Sequence, residues 1–314
     1  MDIAKILNKI DSRIIYLLIS IVVLIPLLIK IPITIEPDEY SSIVYENLSE
    51  ILTASYPETE KTVVGSKLSE SRIDKFYYDT PDNSTKVVSG SKKVLLSFDY
   101  GPSTVPEVGP MSYAIMRQVV SSGNEVHTVA LWDTGLPMIA ETKKNVLKDL
   151  AIDEKDAKIY DFGFKSGGES VIRGMLSNIP KVFPKAKGVV DNLCDYDFVV
   201  SFSAGAPGSK EWVQFAGDQS SSVCGKKIKV STGVTAVQVT ELLPYVSGND
   251  DAQLTGILAG LSGAASYEAL TGYKGEFAGK ASQRMNAQSY AHILIIFFII
   301  VGNIAYFILN RRES

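Results

Sequence analysis

The chain has 314 residues, 46% of them hydrophobic, with 31 Lys+Arg against 35 Asp+Glu and a formal charge of −4. Two cysteines and two histidines rule out a disulfide framework and leave too few soft ligands for an ordinary zinc site. The acidic balance argues against nucleic acid as a partner.

Residues 1–13 form a short basic tail with Lys5, Lys9 and Arg13. An uncharged run, Ile14 to Ile29, follows, and after Lys30 the apolar pattern resumes as IPITI. About 20 apolar residues at about 1.5 Å each cross a bilayer, so residues 14–35 read as a transmembrane helix with Lys30 snorkelling to the interface. A cleaved signal peptide is the rival reading. The following IPITIEPDEY is bulky and acidic and offers no small-x-small cleavage site, which favours an uncleaved anchor.

Residues 36–92 read as a membrane-proximal helix and a polar excursion. Ile43, Val44, Leu48, Ile51 and Leu52 have helical spacing. Residues 54–92 are rich in Ser, Thr, Lys and Asp, with short strands expected at TVV and KFYY. The sequons at Asn47 and Asn83 would accept glycans in an organism that glycosylates.

Residues 93–280 alternate strand and helix. Strands are expected at Val94–Tyr100, Glu125–Leu131, Lys158–Phe164, Asp197–Ser203, Ile228–Ser231 and Leu254–Gly260. Helices are expected over roughly 107–122, 137–150, 169–176, 209–217 and 235–246, with another at SYEALTG. Near-continuous Val/Ile/Leu strands mean a mainly parallel sheet covered on both faces. The expected fold class is α/β: a doubly wound, Rossmann-like sheet of about six strands. Cys194 and Cys224 precede the fourth and fifth strands, at one edge of that sheet, so a disulfide and two free thiols both fit.

In such sheets ligands bind at the carboxyl ends of the strands. Gly, Ser and Thr concentrate in the loops at that edge, where they serve either ligand binding or ordinary turn and cap chemistry. The candidate ligand-binding residues are Asp99, Ser103, Asp133, Ser166, Gly167, Ser203, Gly205 and Thr232. No G-x-G-x-x-G follows the first strand, where Asp99-Tyr-Gly-Pro stands instead, and there is no phosphate loop or nucleophile elbow. No metal site or cofactor is expected. His127 reads as a core residue of its strand. Carboxylates at or near the edge are Asp99, Glu107, Asp133, Glu169, Glu211, Glu241 and Glu268, of which Asp99 is the best catalytic candidate because it ends a buried strand and should face the cleft.

Residues 281–290 form a small, polar collar, 291–309 a second transmembrane helix, and 310–314 a tail with Arg311 and Arg312. Asn303 beside Gly302 marks a helix face suited to contact with another helix. Basic residues outside both spans place both termini in the cytoplasm and the main domain outside it. Setting aside six basic residues (5, 9, 13, 30, 311, 312) and three acidic ones (2, 11, 313) leaves that domain 25 basic against 32 acidic residues, near −7.

The segments SFDYGPSTVPEVGPM (97–111), SAGAPGSKEWVQFA (203–216), TGVTAVQ (232–238) and MNAQSYAHILII (285–296) resemble a family of uncharacterised prokaryotic proteins with a terminal anchor at each end of an α/β body. The resemblance implies the architecture and carries no activity or ligand. The first functional expectation is therefore a non-enzymatic, membrane-anchored subunit of a larger assembly, its partners the bilayer and a second copy or another membrane protein. The alternatives are a small-molecule-binding or sensory module at the carboxyl-end loops and a carboxylate-dependent hydrolase at the same edge.

Overall fold

The computed structural model describes residues 12–29, 35–53, 92–246 and 253–313. The chain divides into two compact units, Ile35–Ala281 and a second made of Met1–Thr34 with Ser282–Ser314. The TVV and KFYY strands expected in the polar excursion, and the sequon at Asn83, lie outside the described residues.

The larger unit is built on six parallel strands: β1 (Lys93–Asp99), β2 (Glu125–Ala130), β3 (Ile159–Phe164), β4 (Phe198–Ser203), β5 (Lys229–Val234) and β6 (Ile257–Ala259). Their order in the sheet is β3-β2-β1-β4-β5-β6. The chain thus builds outward from β1 in one direction and from β4 in the other. Crossovers of a single hand must then leave helices on opposite faces of the two halves. The central strands are buried on both sides, β4 without exception, which is why their sequences show continuous apolar runs rather than alternation.

One face carries α2 (Glu39–Thr53), α3 (Val105–Ser121), α4 (Gly135–Leu150) and, after β6, α10 (Gly260–Thr271). The other carries α5 (Glu169–Ser177), α6 (Ile179–Val182), α7 (Ser209–Trp212), α8 (Asp218–Cys224) and α9 (Val239–Leu242). On that second face Leu95, Val129, Val199 and Val230 of the sheet share a core with Ile172, Met175, Trp212 and Leu242. Burying a side chain of this kind contributes about 1.5–3 kcal/mol, so this layer supplies much of the stability.

Several elements differ from the sequence expectation. The short helix expected around Ile43–Leu52 forms as α2, but its cover, β6 and α10, was not foreseen; Val44, Leu48 and Leu52 are fully buried there. Asn47 spends its amide there, donating to Ile43 O at 2.9 Å and accepting from Lys229 Nζ at 2.9 Å. The helix expected over 209–217 runs on as α7, a π turn at Val213–Gly217 and then α8. The helix expected over 235–246 shrinks to α9 and a 3₁₀ turn at Leu243–Tyr245, because Pro244 has no N–H for a continued ladder. Gly135 opens α4 where only glycine fits: a Cβ there would stand 2.0 Å from Phe98 O. At the amino-terminal edge Cys194 and Cys224 are joined in a disulfide, Cα atoms 5.3 Å apart.

In the smaller unit α1 covers Ser12–Leu28, and α11 runs unbroken over Lys280–Glu313, absorbing the expected collar. Two transmembrane spans were expected; among the described helices only α11 is long and apolar enough, over Lys280–Ile308. The 17 residues of α1 rise about 26 Å, short of the roughly 30 Å hydrocarbon core, and residues 30–34 of the expected span lie outside the described residues. The less exposed residues of each helix form one stripe: Ile15, Ile19, Val22 and Pro26 on α1, and Ala291, Leu294, Phe298, Val301 and Ala305 on α11. Alternating spacings of three and four are those of two helices lying along each other. Gln283 Nε2 donates to Leu27 O at 2.7 Å, using a carbonyl at the end of α1.

Candidate functional site

The strand order reverses between β1 and β4, and their carboxyl ends diverge there into loops of opposite direction. An open groove of about 680 Å³ lies at this point. Its walls are Gly101–Thr104 after β1, Leu131–Thr134 after β2, Phe164 at the end of β3, and Ala204, Ala206 and Pro207 after β4. This is the location at which open α/β sheets hold ligands.

One wall is fixed by Trp132. Its indole Nε1 donates to Pro207 O at 2.7 Å, tying the loop after β2 to the loop after β4. Gly205 makes the approach feasible, since a Cβ there would lie 3.1 Å from the ring. Phe164, 36% exposed, presents a second aromatic surface. Polar groups come from Ser103, Thr104, Thr134 and Asp133, the last being the only charged side chain in the lining among the described residues.

Asp99 lies beneath this groove and has no exposed surface. Along β1 it shares a side with Ser97 and Leu95, so it points towards α7 instead of opening outward. Its carboxylate accepts from Leu131 N at 2.8 Å, Trp212 Nε1 at 3.2 Å and Ser201 Oγ at 3.4 Å, and Ser97 Oγ reaches both oxygens at 2.9 and 2.8 Å. Burial pushes its pKa up to about 7, against the opposing pull of those hydrogen bonds. Such an acid is a structural tie for the groove floor and touches nothing that could enter the groove.

A line of buried hydroxyls continues from it. Ser209 Oγ lies 3.1 Å from Ser201 Oγ and makes a short hydrogen bond with Thr232 Oγ1, which in turn donates to Ser201 O at 2.8 Å. Of the sequence candidates, Ser103 and Asp133 line the groove. Ser203 is buried, its Oγ within 2.9 Å of Gly205 O and 3.2 Å of Gln238 Oε1. Thr232 belongs to the hydroxyl line, Gly205 backs Trp132, and Ser166 and Gly167 are exposed on the loop after β3, outside the lining. Trp132, Phe164 and Pro207 were missed as walls. Their signal was the rarity of Trp, two in the chain, with one just past a strand end.

The carboxylates act singly. Glu107 Oε1 accepts from Ala236 N at 2.7 Å, Glu211 Oε2 from Gly208 N at 2.7 Å, and Glu268 Oε1 from Ala281 N at 3.0 Å. Glu169 pairs with Arg173 at 2.7 Å, and Glu241 is exposed on α9. His127 sits inside the sheet among Tyr160, Phe162 and Tyr196, with Nδ1 2.8 Å from Tyr196 OH. Burial pushes its pKa down to about 4. Among the described residues no group of three His, Cys, Asp or Glu gathers as a metal site would require.

Fold and groove together define a doubly wound α/β domain with an open site at its switch point, in a chain that also carries a helix long enough to cross a membrane. Comparison with known protein families, with curated proteins and with solved structures returns no match.

Proposed function

We propose that the chain is a membrane-anchored binding module that holds a small organic molecule in the groove between the loops after β1, β2 and β4. The observation that carries this reading is the coincidence of a 680 Å³ groove with the switch point of the sheet, backed by an aromatic wall already locked through Trp132 and Pro207. A site held before the ligand arrives costs little ordering on binding. The Cys194–Cys224 bond suits an oxidising compartment. Basic residues beside both apolar runs support a two-pass topology with the domain outside the cytoplasm. A thermal-shift screen of the detergent-solubilised full chain tests the proposal. Some compounds should raise the melting temperature of the parent but not of Trp132→Ala; a library with no stabilising compound would overturn it.

A second reading, subunit of a membrane assembly, is favoured by one observation. Gly302 and Asn303 are exposed on α11, off the stripe that accompanies α1, and Asn303 Nδ2 turns back to Ile299 O at 2.9 Å. A polar residue on an outward face of such a helix suits contact with another helix. Native mass in detergent decides it: a monomer with no companion protein overturns the assembly, and a dimer broken by Asn303→Leu supports it.

A further inference from the structure

Ligands at this place in a doubly wound fold are usually held by phosphate, through free N–H groups and the positive end of a helix dipole. Here several of the N–H groups at the helix starts around the groove are missing or already used. In the turn leading into α3, Pro102 and Pro106 carry no N–H, while Thr104 N and Val105 N turn back to Gly101 O and Pro102 O. At α4, Thr134 N is taken by Asp133 Oδ1 at 2.8 Å, Gly135 N by Trp132 O and Leu136 N by Asp133 O, and Pro137 has none. At α7, Pro207 has no N–H and Gly208 N is taken by Glu211 Oε2.

Carboxylates stand at two of these helix starts, Glu107 on α3 and Asp133 before α4, while on α7 Glu211 is balanced by Lys210. Glu107 and Asp133 oppose the positive ends of their helices. Among the described residues no Lys or Arg lines the groove, and Asp133 is the one charge in it. Beside the hydroxyls of Ser103, Thr104 and Thr134, the lining offers apolar and aromatic surface from Trp132, Phe164, Leu131, Pro102 and Pro207. Negative potential beside an aromatic face is the environment that recognises a cation with an apolar body.

Resting on the reading of the groove as a ligand site, we propose that it takes an organic cation, an amine, guanidinium or quaternary ammonium compound with a flat or small apolar body, and rejects phosphorylated ligands. Asp133 supplies the counter-charge and Trp132 the face.

Three probes sharing one body test this on the full chain in detergent: 2-phenylethylammonium, 2-phenylethanol and 2-phenylethyl phosphate. Binding is read by calorimetry and by quenching of tryptophan fluorescence. The ammonium should bind at least tenfold more tightly than the alcohol, with the phosphate showing no saturable binding. Asp133→Asn should erase the tenfold preference while its amide oxygen can still accept from Thr134 N, and Asp133→Glu should keep most of the preference at a small loss of melting temperature. If the alcohol or phosphate binds as tightly as the ammonium and Trp132→Ala abolishes that binding, the cation assignment falls while the groove stands as a ligand site. Silence of all three probes overturns the cation assignment, and the library screen then decides whether the groove is a ligand site at all.

Discussion

Trp212 and Asp99 meet at 3.2 Å, the indole Nε1 of α7 donating to the carboxylate that closes β1. Both are fully buried. This bond carries the floor of the groove across the switch point, because the same carboxylate also holds Leu131 N, whose residue lines the groove. No charged group contributes to the state of Asp99; it is set by burial against four sets of donors.

The pH dependence of stability follows from that burial. Asp99 titrates near 7 in the fold and near 4 when unfolded. Between those values the folded chain binds more protons, so this group's contribution is fully present below about pH 4 and is lost as pH rises to 7. About three units correspond to about 4 kcal/mol at most. Thermal melting of the parent and of Asp99→Asn across pH 4–8 checks this. The parent should lose stability relative to the variant between pH 4 and 7, and a constant difference would show that Asp99 does not titrate there.

His127 has the opposite sign. Its folded value near 4 lies below the ordinary 6.5, so the unfolded chain binds more protons between them. Its contribution is present above about pH 6.5 and is lost as pH falls to 4. Over the shared window the two groups offset each other, and the parent's melting temperature should be nearly flat there. Replacing His127 by Phe removes one slope and should leave a chain that melts progressively lower as pH rises from 4 to 7. An unchanged profile in the variant would assign the flatness to other groups.

Much of the fold was legible, for a physical reason: strands buried on both faces are written as largely apolar runs, and β1 and β4 are. Partners were less legible. The spacing of Val44, Leu48 and Leu52 announces a helix without saying that β6 and α10 cover it. The π turn at Val213–Gly217 leaves no mark in a pattern that stays apolar throughout. Ser103 and Asp133 were found because loops after strands converge at a switch point. Asp99 was expected to face the cleft from the end of a buried strand; it ends that strand, but its carboxylate is turned inward to Trp212. Trp132 was overlooked because its role depends on Pro207, 75 residues away. The cysteines shared an edge on paper; whether they bonded depended on how closely the residues before β4 approach the end of α8.

The Cys194–Cys224 bond closes a separation of 30 residues. By the chain-entropy argument its removal costs about 3–4 kcal/mol. Cys194→Ser, Cys224→Ser and the double variant should lower the melting temperature by equal amounts, since each removes the same bond. The groove lies at the opposite edge of the sheet, so ligand binding well below the melting point should be unchanged. Additive losses in the double variant would point to separate roles for the two residues.

Gly135 offers a test of the groove's architecture that leaves every lining side chain in place. Ala at this position would put a methyl 2.0 Å from Phe98 O and 2.8 Å from Ala130 Cβ, the first of them backbone that cannot turn aside. The start of α4 must therefore move away from β1, at a cost of about 1–3 kcal/mol for overpacking. That movement draws Trp132, Asp133 and Thr134 with it, since Gly135 N is bonded to Trp132 O. Gly135→Ala should thus lower the melting temperature and also weaken binding of the ammonium probe at least tenfold, measured by calorimetry below the variant's melting point. Loss of stability with binding intact would mean that the loop after β2 holds its shape independently of α4, leaving the Trp132–Pro207 bond as what fixes the wall.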